Sequence, residues 1–306
     1  VDCGKLSGLS MLGYGSLSGS YAGVWDTRGP SFHIDSKVER LNIHQGNVKD
    51  MKVAMTYETG KLDVMATVEN EQMQGGVLLA YDLSDSLNFL STRGQLRIDE
   101  LAAFGLDIKG GQEALETSFE IIHAGQENKS FTNLSLTDFK YTCDTATFTI
   151  DKISMEDNQK GDHNTTTLKS DVVDLFISGN FRELRPAPFV FRLMQNYLPA
   201  YSVHQPKKTR KYPKRKEPEK FDFQYTVQVK DAGRILQVLY PDLYIASGTL
   251  ITSDYRNETG QLRLRLTTDS IGYEDISLLH SKIDLVGDMQ RLDMKYTTDR
   301  LIYGNG

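Results

Sequence analysis

A two-residue period runs through this sequence. Its clearest stretch is Phe221-Asp-Phe223-Gln-Tyr225-Thr-Val227-Gln-Val229-Lys230, with an apolar side chain at every second position and a polar one between. Successive side chains of a strand point to opposite faces, so this pattern marks strands with one dry side and one wet side. Gln261 to Thr267 repeats it through Leu262, Leu264 and Leu266, and earlier sets repeat it through Met51, Val53, Met55, Tyr57 and through Leu62, Val64, Ala66, Val68. Leu134 with Leu136, Phe148 with Ile150, Leu175 with Ile177, Ile283 with Leu285, and Leu292 with Met294 continue it.

Turn-forming residues separate these runs: Gly46-Asn47, Glu58-Thr59-Gly60, Gly75-Gly76, Gly110-Gly111, 158–162, Asn257-Glu-Thr-Gly260 and Gly287-Asp288. Tyr57-Glu-Thr-Gly-Lys-Leu62 and Arg256-Asn-Glu-Thr-Gly-Gln-Leu262 are nearly the same hairpin. The spacing predicts about 15 strands, mostly adjacent in sequence, in an antiparallel meander rather than a βαβ array.

Two segments leave the period. Residues 188–198 begin with Pro188, have helical spacing and stop at Pro199; residues 231–240 open with Asp231 as an N-cap and stop at Pro241. Arg192-Leu-Met-Gln-Asn-Tyr-Leu-Pro199 and Arg234-Ile-Leu-Gln-Val-Leu-Tyr-Pro241 form a weak internal repeat. A poorer helical candidate is Ile98 to Phe104.

The shape follows from how little apolar material there is. Hydrophobic residues make up 39% of the 306 residues, and each strand places only a few of them on a single face. Two short helices cannot cover so many strands, and the bare face left over exceeds the few hundred Å² that a soluble monomer normally exposes. The sheet is therefore expected to curl on itself, pair with a neighbour or hold an apolar ligand. No window approaches the ~18 consecutive apolar residues of a spanning helix.

Motifs that carry chemistry are scarce. The sequence has no GxxxxGK[ST], GxGxxG, GxSxG or HExxH pattern, and its six histidines are scattered. The acidic pairs Asp82/Asp85 and Asp269/Glu274 stand at turn-like positions. This reading expects no enzyme, no cofactor and no metal. Cys3 and Cys143 lie far apart, readable as two unpaired thiols or as one bridge in an oxidising compartment. The chain starts at Val1 without a Met or an apolar leader, which reads as an excised fragment or a processed chain.

Net charge is −6, yet Lys207 to Lys220 carries eight basic and two acidic residues, +6, which leaves −12 for the remainder. The basic loop, 204–220, reads as a solvated connection, as a contact for anionic lipid headgroups, or as a nucleic-acid patch. Only Tyr212 lies within the charged stretch, against the interleaved aromatics that single-stranded nucleic acid needs. No nucleic-acid partner is expected.

Leu168-Lys-Ser-Asp-Val-Val-Asp-Leu-Phe-Ile-Ser-Gly-Asn-Phe181, followed by Phe191-Arg-Leu-Met-Gln-Asn-Tyr-Leu-Pro199, resembles the TamB family, closest to its Bacteroidota branch. There a strand ending in G-x-F precedes a short helix ending in Y-L-P. Ile235-Leu-Gln-Val-Leu-Tyr-Pro-Asp-Leu-Tyr-Ile245-Ala-Ser-Gly248 resembles it too, so the likeness covers about 165 to 300, while the first half shares only the strand-and-glycine texture. TamB proteins are similar to AsmA-like and other bridge-like lipid-transfer proteins. The resemblance implies a long twisted antiparallel sheet folded lengthwise into an open apolar trough, the β-taco. It also implies an inner-membrane anchor lying outside this chain, a periplasmic location in a diderm bacterium, phospholipid transport, and outer-membrane assembly with a BamA-type barrel.

On that footing the expected division is residues 1–165 as N-terminal trough repeats and 166–306 as the TamB-like segment. Expected groove contacts for phospholipid acyl chains are Val53, Met55, Leu62, Val64, Phe221, Phe223, Tyr225, Val227, Leu262, Leu264 and Leu266. Met194, Leu198, Ile235 and Leu239 are expected to plug or rim the trough, each pair being four apart on one helical face. Rival readings are a scaffold that pairs its edge with outer-membrane strands and an adhesive β-solenoid, for which no ~20-residue repeat is found.

Overall fold

The computed structural model describes residues 12–180 and 222–304, short of positions 28, 84–87, 107, 109, 127–128, 145, 257 and 289–290. The expected helix at 188–198 with Met194 and Leu198, the basic loop, Phe221 and Cys3 lie outside the described residues.

The chain is all-β, and its described strands form one open 18-stranded antiparallel sheet, consistent with a trough and not closed into a barrel. In order they are β1 (Leu12–Asp26), β2 (Gly29–Ile43), β3 (Gly46–Glu58), β4 (Lys61–Glu69), β5 (Met73–Asp82), β6 (Asn88–Ile98), β7 (Glu113–Gln126), β8 (Lys129–Cys143) and β9 (Ala146–Lys160). Then come β10 (His163–Ser170), β11 (Val173–Gly179), β12 (Asp222–Val229), β13 (Leu243–Ile245), β14 (Leu250–Arg256), β15 (Gln261–Tyr273), β16 (Ile276–Gly287), β17 (Leu292–Thr297) and β18 (Arg300–Tyr303). Each strand bonds to the next, as the turn spacing predicts, except near the end. There β12 pairs with β14, β13 pairs with β15, and β16 pairs with both β17 and β18. The count exceeds 15 because β13 and β18 have three and four residues, too few to show a period. Residue 165/166 falls inside β10, which pairs with β9 and β11.

Local chemistry makes the hairpins. Thr59 and Gly60 have φ of 48° and 84°, the left-handed pair of a type I′ turn whose twist matches the flanking strands. Other turn expectations shift. Gly75 and Gly76 lie inside β5. A Cβ on Gly75 would stand 2.4 Å from the carbonyl oxygen of Gln95, so this glycine serves close strand approach rather than a bend. Strand β9 runs to Lys160, leaving only Gly161 and Asp162 of the 158–162 stretch as the turn.

Three non-glycine residues inside strands adopt left-handed φ: Asp50 at 55°, Asp138 at 54° and His280 at 48°. The ladders skip each of them. There the pleat loses a step, and the inward apolar set changes parity, from Val48 to Met51 in β3 and from Phe139 to Leu136 in β8. Such irregularities bend a strand and raise its twist, as curvature of a long sheet requires.

One rim of the sheet carries the helical pieces. The 3₁₀ turn Leu101–Phe104 between β6 and β7 folds over the apolar face, with Leu101 and Phe104 buried. Only this last turn of the expected 98–104 helix forms, since Ile98 still belongs to β6. A Cβ on Gly46 would lie 2.6 Å from the Phe104 ring. Helix α1 (Gly233–Leu239) matches the helix expected at 231–240, but its N-cap is Ala232 without a side-chain bond. Asp231 instead stands 3.8 Å from Arg234. These pieces build one core with Val48, Ile98, Tyr141, Cys143, Phe148, Ile150, Val172 and Val238, and Ile235 and Leu239 pack against it.

Polar bonds stitch that rim. The backbone N–H of Gln45 donates to the carbonyl of Ala103 at 3.0 Å. Gln72 accepts from the Asn47 amide at 3.0 Å and donates to Glu100 at 2.8 Å. Lys230 Nζ donates to the Ser170 carbonyl at 2.8 Å and to Asp174 at 2.6 Å, and Arg234 pairs with Asp171.

Candidate functional site: an apolar row across the inner face

Register places the apolar faces of separate strands in line. One row of directly opposed residues crosses sixteen strands: Tyr21, Ile34, Met55, Val64, Leu79, Thr92, Ile121, Leu134, Met155, Leu168, Leu175, Val227, Ile251, Leu266, Ile283 and Tyr296. Thr92 is its one polar member. At about 4.8 Å between strands the row is roughly 70 Å long. From Ile34 to Ile283 every member is half-buried, and the two end members, Tyr21 and Tyr296, are exposed. The opposite face is mostly charged or polar, as in β4, where Lys61, Asp63, Thr67 and Glu69 are exposed with Met65, and Leu62, Val64, Ala66 and Val68 are half-buried.

Of the described residues expected to line a groove, Met55, Val64, Val227 and Leu266 stand in this row. Val53 lies one pleat to one side of it. Leu62, Tyr225 and Leu264 lie one pleat to the other, in the line Tyr57–Leu62–Tyr81 and the line Tyr225–Ser253–Leu264. Burial pushes the Tyr225 phenol above its ordinary pKa. Phe223 is 4% exposed. It packs in a second small core with Ile177 and Tyr255, its ring centroid 6.3 Å from that of Tyr225 and 5.5 Å from that of Tyr255. Leu262 joins that core. The helix residues Ile235 and Leu239 rim the face rather than cross it.

Half-burial of the row has a physical reading. A filled core drives its members to near-zero exposure and makes dense contact; here the rim with α1 and the 3₁₀ turn does so, as does the small core of Ile177, Phe223 and Tyr255. Between these cores the members of the row stay half-buried, short of such packing. On the opposite face, a depression of about 400 Å³ is floored by Ala54, Met65, Leu78 and Ala80 beside Asp63 and Arg93. It spans only β3 to β6, so it lacks the continuity of the row.

The apolar face turns polar beside the row in two places, one being the line Thr249, Thr268, Ser281 and Thr298, from just before β14 to just after β17, its first three members buried. Beside the row, on β7 to β10, the next opposed line reads His123, Thr132, Asp157 and Thr166, and the line after it Ser130, Gln159 and Asn164. Asn164 is buried there, at 9% exposure. Elsewhere the thiol of Cys143 is buried, 3.7 Å from the Gly110 carbonyl.

Among the described residues no three His, Cys, Asp or Glu side chains converge as a metal site, and no helix is long and apolar enough to cross a membrane. Compared with known protein families, with curated proteins and with solved structures, the chain matches none.

Proposed function

We propose that this chain is a non-enzymatic, lipid-conducting segment of a TamB-like protein of the diderm periplasm. It carries phospholipid acyl chains along the apolar row between inner and outer membrane, in support of outer-membrane assembly with a BamA-type barrel. The observation that carries the reading is the row itself, about 70 Å of half-buried apolar side chains with one threonine in it.

The energetics favour such use. An acyl chain of about fifteen methylenes costs roughly 12 kcal/mol to expose to water, at ~0.8 kcal/mol each. A strip that offers similar apolar contact at every step lets the chain slide without meeting that barrier, and it needs no nucleophile, metal or cofactor. The bands of one strand repeat on the next at a spacing shorter than a lipid tail, so a tail always touches several strands.

The test is the lipid content of the chain purified from a membrane-depleted lysate. Phospholipid should co-purify and be lost in Val64→Asp and Leu264→Asp, both on the apolar face, and be kept in Thr67→Asp on the polar face. Lipid content indifferent to all three substitutions would refute the conduit.

A second reading rests on the first strand. From Ser16 to Trp25 the edge of β1 away from β2 pairs with no other described strand, and Tyr21 and Trp25 are 86% and 81% exposed. A scaffold that pairs with client outer-membrane strands would use such an edge. A photo-crosslinker at Ser18 that captures protein rather than lipid would favour it.

A further inference from the structure

We infer that the polar island beside the apolar row on β7 to β10 is a headgroup site for a lipid with a primary ammonium, an inference that rests on the lipid-conducting reading above. The boundary is drawn in register across four strands. Ile121, Leu134, Met155 and Leu168 stand opposite one another in the row, and two residues along each strand stand His123, Thr132, Asp157 and Thr166. Elsewhere this second line is apolar apart from Ser253, as at Leu62, Tyr81 and Leu90 on one side and Ile177 and Tyr225 on the other. An amphiphile whose tail lies along the row therefore meets here a polar patch within a headgroup's reach, and one that carries a carboxylate, unlike the hydroxyl line Thr249, Thr268 and Ser281.

The patch is built to accept hydrogen bonds from a cation. Several of its donors are already engaged: His123 Nδ1 and the Thr132 hydroxyl share a 2.8 Å bond. The Thr166 hydroxyl donates to Asp157 Oδ1, the Ser130 hydroxyl donates to Gln159 Oε1 at 3.4 Å, and Gln159 Nε2 donates to the Gly161 carbonyl at 3.3 Å. Acceptors remain. Asn164 is nine-tenths buried, and its Oδ1 is sealed and takes no hydrogen bond. The second carboxylate oxygen of Asp157, diagonal to it on the neighbouring strand, adds the single negative charge. A buried acceptor without a donor is costly, so Asn164 gains by turning its amide oxygen towards an N–H-bearing cation held at the Asp157 carboxylate. Lys129 and Lys160 stand on the opposite face, so nothing cationic within the patch favours a phosphate instead. A trimethylated headgroup has the same charge but no N–H, which makes hydrogen-bond donation the distinguishing property.

The probe is a vesicle of equal phosphatidylethanolamine, phosphatidylcholine and phosphatidylglycerol. The chain is incubated with it and re-isolated, and its bound lipid is counted by mass spectrometry. Bound phosphatidylethanolamine should exceed phosphatidylcholine about tenfold, the scale of one charge-assisted hydrogen bond. Asp157→Asn and Asn164→Leu should bring the ratio towards that of the vesicle with total bound lipid and thermal midpoint retained. A wild-type ratio equal to the vesicle's, or a preference that survives both substitutions in folded protein, overturns the inference. Absence of any bound lipid overturns the conduit reading beneath it.

Discussion

The phenol of Tyr141 donates a 2.6 Å hydrogen bond to Oε1 of Glu113, and both side chains are sealed from solvent. The same carboxylate accepts the backbone N–H groups of Ile108 and Gly110 at 3.0 and 3.1 Å, so one buried acid fixes the β6–β7 loop against β8. Tyr141→Phe should lower stability by about 1–3 kcal/mol, the cost of a charged acceptor deprived of a buried donor, read as a fall in urea midpoint at unchanged slope.

The pH dependence of that pair has a definite sign. Burial first, and the Glu113 contact second, push the Tyr141 phenol well above its ordinary value of 10.0. The unfolded chain releases this proton near pH 10 while the folded one keeps it. The stabilisation is therefore whole below pH 10 and is lost as pH rises above it, at about 1.4 kcal/mol per pH unit. Denaturant titrations between pH 9 and 11 should show that slope, with one proton's share of it missing in Tyr141→Phe.

Phe104 sits where a side chain on Gly46 would be, 2.6 Å from the ideal Cβ position. Gly46→Ala should cost about 1–3 kcal/mol by overpacking. Phe104→Ala should cost about 3–5 kcal/mol through the cavity it leaves. Adding Phe104→Leu to Gly46→Ala should recover part of the loss; strictly additive losses would mean the two do not touch.

Asp138 holds a φ of 54° at an exposed mid-strand position. Asp138→Gly should be neutral or stabilising by up to about 1 kcal/mol, because glycine takes that conformation without a Cβ clash. Asp138→Val should destabilise by about 1–2 kcal/mol. Thermal midpoints of the two variants in the opposite order would show that the bend is not set there.

Strand β1 has no charged residue from Leu12 to Trp25, although edge strands of soluble sheets are commonly guarded by charge or proline. Tyr21→Lys with Val24→Lys should lower concentration-dependent association in light scattering. Association that stays at the wild-type level would place the contact elsewhere.

The strands and their one-sidedness were legible because period two is a property of neighbouring residues. Val53, Met55, Val64 and Leu266 could be read as one face from their own strands, and Thr59-Gly60 as a turn from its own chemistry. The slip from Val48 to Met51 was not legible, since an aspartate in left-handed φ leaves no periodic trace. Glu113 was passed over because its partner Tyr141 is 28 residues away. Gln159 was read with the turn because its composition is that of a turn, whereas β8 and β10 hold it in a strand.

The sequence by itself determined an antiparallel, all-β chain whose strands each keep one dry side, because side-chain alternation is written residue by residue. Tertiary structure alone decided that these dry sides align in a single row and that a polar island interrupts the two adjoining lines, at Asp157 in the first and Asn164 in the second. Register between strands accumulates from every turn length and every skipped residue along the meander, and no local stretch of sequence contains that sum.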